Sequence, residues 1–239
     1  MIATYREISR RTRRSFLTGG IAAAAGLGTW EWIRKSFHEG GIPRPLRRAE
    51  QADDVFSHAL FSETRLAKTF SRAEITEARV NSDIGIQDDP EPDWKLEIEG
   101  GSAILLDQIK ALPKVEQITQ FKCIEGWNYI MKWGGAKFSD FAAAYAPSGA
   151  TQKPWVGLET PDGDYYVGLD RASAMHPQTL LAYEMNSEPL TNAHGAPLRL
   201  LIPVKYGIKN LKRIGKITFS DTKPRDYWAE NGYDYDSGF

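Results

Sequence analysis

Apolar residues recur at every second position in several short stretches of this chain, and at every third or fourth in only a few. Residues 94–99 (WKLEIE) alternate as a half-buried strand does, and residues 214–220 alternate again. Apolar runs at 115–121, 154–159, 165–169, 180–185 and 198–204 predict further strands. Thr160-Pro161-Asp162-Gly163 joins two of them as a turn, because proline presets φ and glycine accepts a positive one. Helical spacing is confined to short pieces. Val55, Ala59, Leu60, Leu66 and Ala67 predict a short, broken helix within residues 49–69. Asp107 opens a second piece (DQIKAL) that Pro113 stops, and Ser139 reads as the N-cap of a third (FAAAY), stopped by Pro147. Strands and short helices in no regular alternation predict a β-rich α+β domain, not a doubly wound sheet.

The first 48 residues read differently. Thr12, Arg13, Arg14, Ser15, Phe16 and Leu17 form a twin-arginine export motif, followed by a weakly apolar, Gly- and Ala-rich run at 19–28. That run is shorter than the roughly 20 residues a membrane span needs, so a spanning anchor is not expected. No clean A-x-A site follows, which leaves cleavage or retention of the leader open. Residues 40–48 (GGIPRPLRR) read as a linker by composition. The expected organisation is therefore a leader and linker at 1–48 and one globular domain at 49–239, large enough to bury its own core.

Charge sharpens that division. The formal net charge of -1 conceals ten Lys and Arg against three Glu in residues 1–48, and twenty against twenty-eight acidic residues beyond. An acidic folded part argues against nucleic acid as a partner. No Walker loop, G-x-G-x-x-G or C-x-x-C spacing is present.

The candidate chemistry centres on residues 121–133 (FKCIEGWNYIMKW), which hold the single cysteine, Cys123, with a carboxylate and several aromatic rings. A lone cysteine is commonly a small buried hydrophobe. In an exported protein, however, an unpaired thiol needs a reason to survive, and a metal bond is one. Its place after an apolar strand and before Gly126 predicts a sulfur at a strand end, able to point into a cleft.

FKCIEGW, followed in order by LLAYEMNSEPL, HGAPLRLLIP and YGIKNLKRIGKI, resembles the sulfite-oxidase superfamily of molybdopterin enzymes over residues 93–239. The resemblance is closest to the bacterial branch that includes the periplasmic methionine sulfoxide reductase catalytic subunits. It implies a β-rich sulfite-oxidase-type molybdopterin-binding fold with short helices, and an oxidoreductase using molybdenum and molybdopterin. Cys123 becomes the expected thiolate ligand of the metal, since the thiolate is the form that binds metal and suits a soft site. His194 and Arg199 match the family's cofactor-binding histidine and arginine. Lys209 and Lys212 match the basic residues at the anionic end of the pterin, where Gly207 lets the backbone come close. Trp228 and Tyr233 keep the five-residue spacing of the family's tryptophan and substrate-side tyrosine. Tyr233 is thus a candidate proton donor or oxyanion contact, or else a rim aromatic on a frayed tail. Tyr183 and Met185 read as packing.

The chain also departs from the family. Its ARVNSD stretch aligns neither Arg79 nor Asn81 with the substrate-binding V-R-N-H of vertebrate-type sulfite oxidases, and IEGW replaces the basic A-G-N-R-R after the cysteine. The sequence ends where those enzymes begin an immunoglobulin-like dimerisation domain, so dimerisation by that route is not expected. The resulting expectation is a periplasmic oxidoreductase working by oxygen-atom transfer on a small-molecule substrate, such as an S-oxide. Its electrons pass to or from a separate partner, a membrane haem subunit or soluble cytochrome, because no haem or flavin motif is present. A sulfite dehydrogenase and a non-catalytic cofactor carrier remain the alternatives.

Overall fold

The computed structural model describes residues 5–60, 62, 65–80, 82–86 and 93–238, the side chains of 5–13, 57 and 58 excepted. Asn81, residues 88–92 of the acidic turn, and the side chains of Thr12 and Arg13 thus lie outside the described residues. The chain divides into two compact units, Met1–Ala52 and Asp53–Phe239. In the first, helix α1 (Tyr5–Lys35) takes in the small-residue run, as alanine's helix propensity favours, and a two-residue antiparallel pair, β1 (His38–Glu39) and β2 (Ile42–Pro43), follows. No described helix is long and apolar enough to cross a membrane. Helix α2 (Arg44–Leu60) begins inside the stretch read as a linker. Pro45 falls in its first turn, where a missing N–H breaks no helical hydrogen bond, so a stretch read as a linker by composition holds a helix start.

The second unit carries β3 (Glu97–Ile98), α3 (Leu106–Lys110), β4 (Lys114–Lys122), β5 (Asn128–Lys137), α4 (Phe138–Tyr145), β6 (Trp155–Glu159), β7 (Tyr166–Asp170), α5 (Arg171–Ala174), β8 (Leu180–Met185), β9 (Glu188–Pro189), β10 (Arg199–Leu201), β11 (Lys216–Ser220) and α6 (Tyr227–Glu230). One sheet has the order β10-β8-β5-β4 with β9 on β8, and the other runs β3-β11-β6-β7. The predicted alternation at 94–99 holds in burial even where regular pairing is short: Trp94, Leu96 and Ile98 are buried while their neighbours are exposed.

The first sheet is buried on both faces. Leu181 and Tyr183 of β8 join the large core with Phe138, Leu158 and Ile217, while Leu180 and Ala182 join a second cluster around Phe121, Met131 and Trp133. In β10, Leu200 faces the first cluster and Leu201 the second, so the period of two places Arg199 on the same side as Leu201.

Two local differences from the sequence reading have clear causes. The ten-residue β5 is not among the predicted strands, and Gly134 and Gly135 interrupt its apolar pattern. They form a bulge against β8, where a Cβ on Gly135 would stand 2.2 Å from the Leu181 carbonyl oxygen, so only glycine fits. Helix α4 is capped by Lys137, not Ser139. β5 runs straight into it, and the Phe138 N–H, one of the first-turn donors without a partner inside the helix, donates to the Thr179 carbonyl at 3.0 Å.

Candidate active site

Strands β4 and β5 form a hairpin whose turn holds Cys123. The Cys123 N–H donates to the Trp127 carbonyl at 2.9 Å and the Gly126 N–H to the Cys123 carbonyl at 3.1 Å, with Gly126 at φ +89. Glycine is favoured at that left-handed position. The thiol is 8% exposed. Burial pushes its pKa up and the Glu125 carboxylate adds to this, while the Glu125 and Ile124 N–H groups and the Arg79 guanidinium act to lower it. Behind the turn, Phe121 stacks on Tyr129 at 4.9 Å and Trp127 stacks beside both at 6.1 Å. Arg79 lies over Trp127 at 4.9 Å, and the indole N–H donates to Glu125 at 2.6 Å.

Cys123 opens into a cavity of about 120 Å³ whose wall includes Tyr165, Gly207, Lys212, Trp228 and Tyr233. The Tyr165 hydroxyl donates to the Ile208 carbonyl at 2.6 Å and so ties down the 3-10 turn Gly207–Lys209. Gly207 is where the resemblance puts it, on the cavity, but its missing side chain serves packing: a Cβ there would come within 2.6 Å of the Phe121 ring. Tyr233, 42% exposed, sets its ring edge-on to Trp228 at 5.0 Å, and its N–H donates to the Trp228 carbonyl at 2.9 Å. Asp226 caps α6 by accepting the Ala229 N–H at 3.0 Å. The five-residue spacing of Trp228 and Tyr233 is thus one short helix and its turn.

Lys212 and Arg199 form the cationic side, with the His194 imidazole beside them. The Lys212 ammonium donates to the carbonyls of Ser82 at 3.0 Å and Ala193 at 2.8 Å. Burial and then the Arg199 charge pull its pKa down to about 7, against an opposing pull from Asp83. His194 is held near 4 by burial and by the Arg199 and Lys212 charges. Arg199 is fully buried, donating to the His194 carbonyl at 3.0 Å and the Asn210 carbonyl at 3.2 Å. Its guanidinium lies 5.0 Å from the Trp133 ring, and among the described residues its Nε has no hydrogen-bond partner and it makes no ion pair. Lys209 is placed otherwise: its buried ammonium pairs with the Asp226 carboxylate and donates to the Gly168 carbonyl at 3.1 Å, away from the Cys123 cavity. The expected contact of Lys209 with the anionic end of a cofactor is therefore corrected to an internal ion pair, since burial demands a counter-charge and Asp226 supplies it.

A wider cleft of about 710 Å³, lined by Val80, Asp83, Ile86, Thr191 and Asn192, meets the Cys123 cavity at Ser82. A phosphate-terminated pterin fits this chemistry. Burial first, and the Arg199 charge second, depress His194 and Lys212, and an anion beside Lys212 would offset that charge. Among the described residues no three His, Cys, Asp or Glu gather to hold a metal, so a metal at Cys123 would draw its other ligands from the cofactor. Three site residues escape the sequence reading. Tyr165 is read only as part of a strand, Tyr129 lies in the unpredicted β5, and Arg79 does not align with the family's substrate-binding motif. Tyr129 carries a buried hydroxyl without a hydrogen-bond partner among the described residues, close enough to Arg199 for its charge to act on the phenol. No local pattern marks any of the three.

Comparison with known proteins agrees with this geometry. Residues 82–228 match the family described as the oxidoreductase molybdopterin binding domain. A protein of Azospira oryzae, provisionally named a protein-methionine-sulfoxide reductase subunit, is 29% identical over 99% of this chain and 91% of its own length. The protein-methionine-sulfoxide reductase catalytic subunit of Xanthomonas campestris is 32% identical, covering 57% of this chain and 48% of that protein. The chain therefore spans about half the length of that catalytic subunit. The sulfane dehydrogenase of Paracoccus pantotrophus shares the fold, with a TM-score of 0.52 at 17% identity over 58% of this chain and 41% of that one. Together, the matched family, the shared fold and the site chemistry make this chain a member of the molybdopterin-binding oxidoreductases of sulfite-oxidase type, a molybdenum-dependent enzyme similar to the methionine sulfoxide reductase catalytic subunits.

Proposed function

We propose that the chain is an exported reductase of S-oxides, with methionine sulfoxide as the leading substrate, and that a separate redox protein, a membrane haem subunit or a soluble cytochrome, supplies its electrons. The observation that carries this reading is the cavity in which Cys123, Lys212 and Tyr233 meet, with Arg199 joined to its wall at the Asn210 carbonyl and to the His194 carbonyl. Molybdopterin supplies two-electron oxygen-atom transfer when bound, with Cys123 as its protein ligand to the metal. His194, Arg199 and Lys212 hold the anionic end of the cofactor. The reaction consumes a sulfoxide, two electrons and two protons and yields a thioether and water. Tyr233, at the exposed side of the cavity, donates a hydrogen bond to the sulfoxide oxygen and passes it a proton. The names of the methionine-sulfoxide reductase relatives support this substrate class. Twin-arginine export to the periplasm rests on the motif at residues 12–17.

The test uses protein exported by its native host. It should contain molybdenum and pterin and reduce methionine sulfoxide with a reduced viologen dye, and a variant with Arg13→Lys and Arg14→Lys should stay in the cytoplasm. Sulfite oxidation faster than sulfoxide reduction would overturn the substrate, and an undiminished periplasmic yield of the double variant would overturn the export route.

A further inference from the structure

A second cavity, of about 270 Å³, lies against the segment that carries Tyr233. That segment gives Trp228 and Tyr233 to the Cys123 cavity, and Tyr235 and Asp236 to this one. The volume sits just below the roughly 300 Å³ at which small-molecule pockets begin, so it suits a side-chain-sized group. The walls pair aromatic faces with carboxylates: Trp155 meets Tyr235 edge-on at 5.9 Å, beside Asp54 and Asp236. An aromatic face next to a carboxylate is the chemistry that holds an organic cation.

The structure already places such a cation there. The Lys223 ammonium lies 3.7 Å from the Tyr235 ring centroid and 5.7 Å from that of Trp155, and donates to Asp54 Oδ2 at 2.6 Å. Its side chain is 43% exposed, so this occupant can leave for water. The lining holds three carboxylates, Asp54, Asp170 and Asp236, against two ammoniums, Lys205 and Lys223, which leaves it negative. Both Asp170 oxygens are taken by Ser173, and Asp54 Oδ1 accepts the Asp236 N–H at 2.6 Å, so recognition falls to Asp54 Oδ2, freed when Lys223 leaves, and to Asp236. Asp236 is 8% exposed. Its Oδ1 accepts from Lys205 at 2.5 Å, whereas Oδ2 is buried without a partner among the described residues. Such an orphaned acceptor has given up its water and calls for a donor. Burial and then the carboxylates of Asp226, Asp54 and Asp170 oppose ionisation of the Tyr235 phenol, while the Lys209 ammonium, paired with Asp226, also lies 4.3 Å from the ring centroid.

We infer that this cavity is a binding site for a primary ammonium on an aliphatic stem, held by Asp54, Asp236, Trp155 and Tyr235, with Lys223 as a displaceable internal occupant. A free amine and the lysine side chain of a polypeptide share that chemistry. Divalent metal is disfavoured, because no metal-binding cluster of His, Cys, Asp and Glu exists among the described residues.

The test exploits the self-occupancy, because a merely structural cluster predicts the opposite sign. Titration calorimetry on the full, cofactor-loaded chain uses Nα-acetyl-lysine methylamide as probe, with the norleucine analogue as the uncharged control. Lys223→Ala should bind the lysine probe at least tenfold more tightly than the wild type. Adding Asp54→Asn to that variant should weaken it again by at least tenfold, and the norleucine analogue should bind to none of them. n-Butylammonium separates the sources: equal affinity indicates a free amine, and a tenfold preference for the lysine probe indicates a polypeptide. Lys223→Ala with no gain in affinity, or equal binding of the norleucine analogue, overturns the proposal.

Discussion

Arg199 and Lys209 are both fully buried cations, yet the molecule treats them in opposite ways. Lys209 has a carboxylate, Asp226, which is itself 3% exposed and also caps α6. Arg199 has only backbone carbonyls, aromatic faces and an unpartnered Nε among the described residues. Burial lowers the pKa of both, but the opposing pull comes from the carboxylates of Asp226 and then Asp236 for Lys209 and only from Tyr129 for Arg199. A buried charge with its counter-charge is a finished structural element. A buried charge without one keeps its attraction for an anion, and here it acts on His194 and Lys212, whose pKa values burial lowers first and the Arg199 charge lowers further. The comparison separates two residues that the family pattern assigns to one task.

The largest effect is expected at the cavity floor. Cys123→Ser removes the soft thiolate while leaving His194, Arg199 and Lys212 in place, so pterin should remain bound while turnover falls by several orders of magnitude. If the thiol were only packing, the loss would be about 1 kcal/mol of stability with activity intact. Molybdenum content, pterin content and the visible spectrum of one preparation decide this. A serine variant with wild-type spectrum and turnover would return Cys123 to the core.

The next pair of variants tries the contrast between the two cations directly. Asp226→Asn strands the Lys209 ammonium in the interior, and breaking such a pair costs about 3 to 5 kcal/mol. Denaturant unfolding of the cofactor-free protein should show that loss. Arg199→Met should instead destabilise the cofactor-free protein by less, because it removes a charge that lacks a counter-ion while freeing two carbonyls. Its effect should appear in cofactor occupancy, where a lost charge-assisted contact of about 1.5 to 3 kcal/mol means roughly ten- to hundredfold weaker retention. Equal stability losses for the two variants, with full occupancy in Arg199→Met, would erase the distinction.

How far the sequence reveals this arrangement depends on the range of the forces involved. The strands at 115–121, 154–159 and 165–169 are legible because a short apolar run bounded by turn residues is a local signal, and the two-sided burial of LLAYEM follows from a continuous apolar run. β5 is not, since its double glycine is required by Leu181, a contact about 46 positions away that leaves no local trace. At the candidate site, Cys123, Lys212 and Tyr233 come together as the ordered motifs imply. The role of Lys209 was misread because its motif is silent about Asp226, 17 residues further on. Arg79 and Tyr165 join the site through tertiary packing alone.

The smallest expected effect concerns the proton on Lys212. Its pKa in the folded, cofactor-free protein is about 7, against 10.5 for a free lysine. Between those values the unfolded chain binds more protons than the folded one, so stability should rise with pH, by up to about 1.4 kcal/mol per unit. Below about pH 7 both states are protonated and this contribution to the slope vanishes. His194, held near 4, adds its own slope only between that value and its ordinary 6.5, outside this window. An anion bound beside Lys212 should restore the proton, raise the folded pKa and flatten the dependence. Sulfate serves as the probe because it does not titrate in this range. It should raise the Tm of the cofactor-free protein more at pH 7 than at pH 9, and Lys212→Met should remove both the slope and the sulfate difference. A sulfate effect that is the same at both pH values in the wild type would mean that Lys212 does not face the anion, and the cationic side of the site would reduce to Arg199.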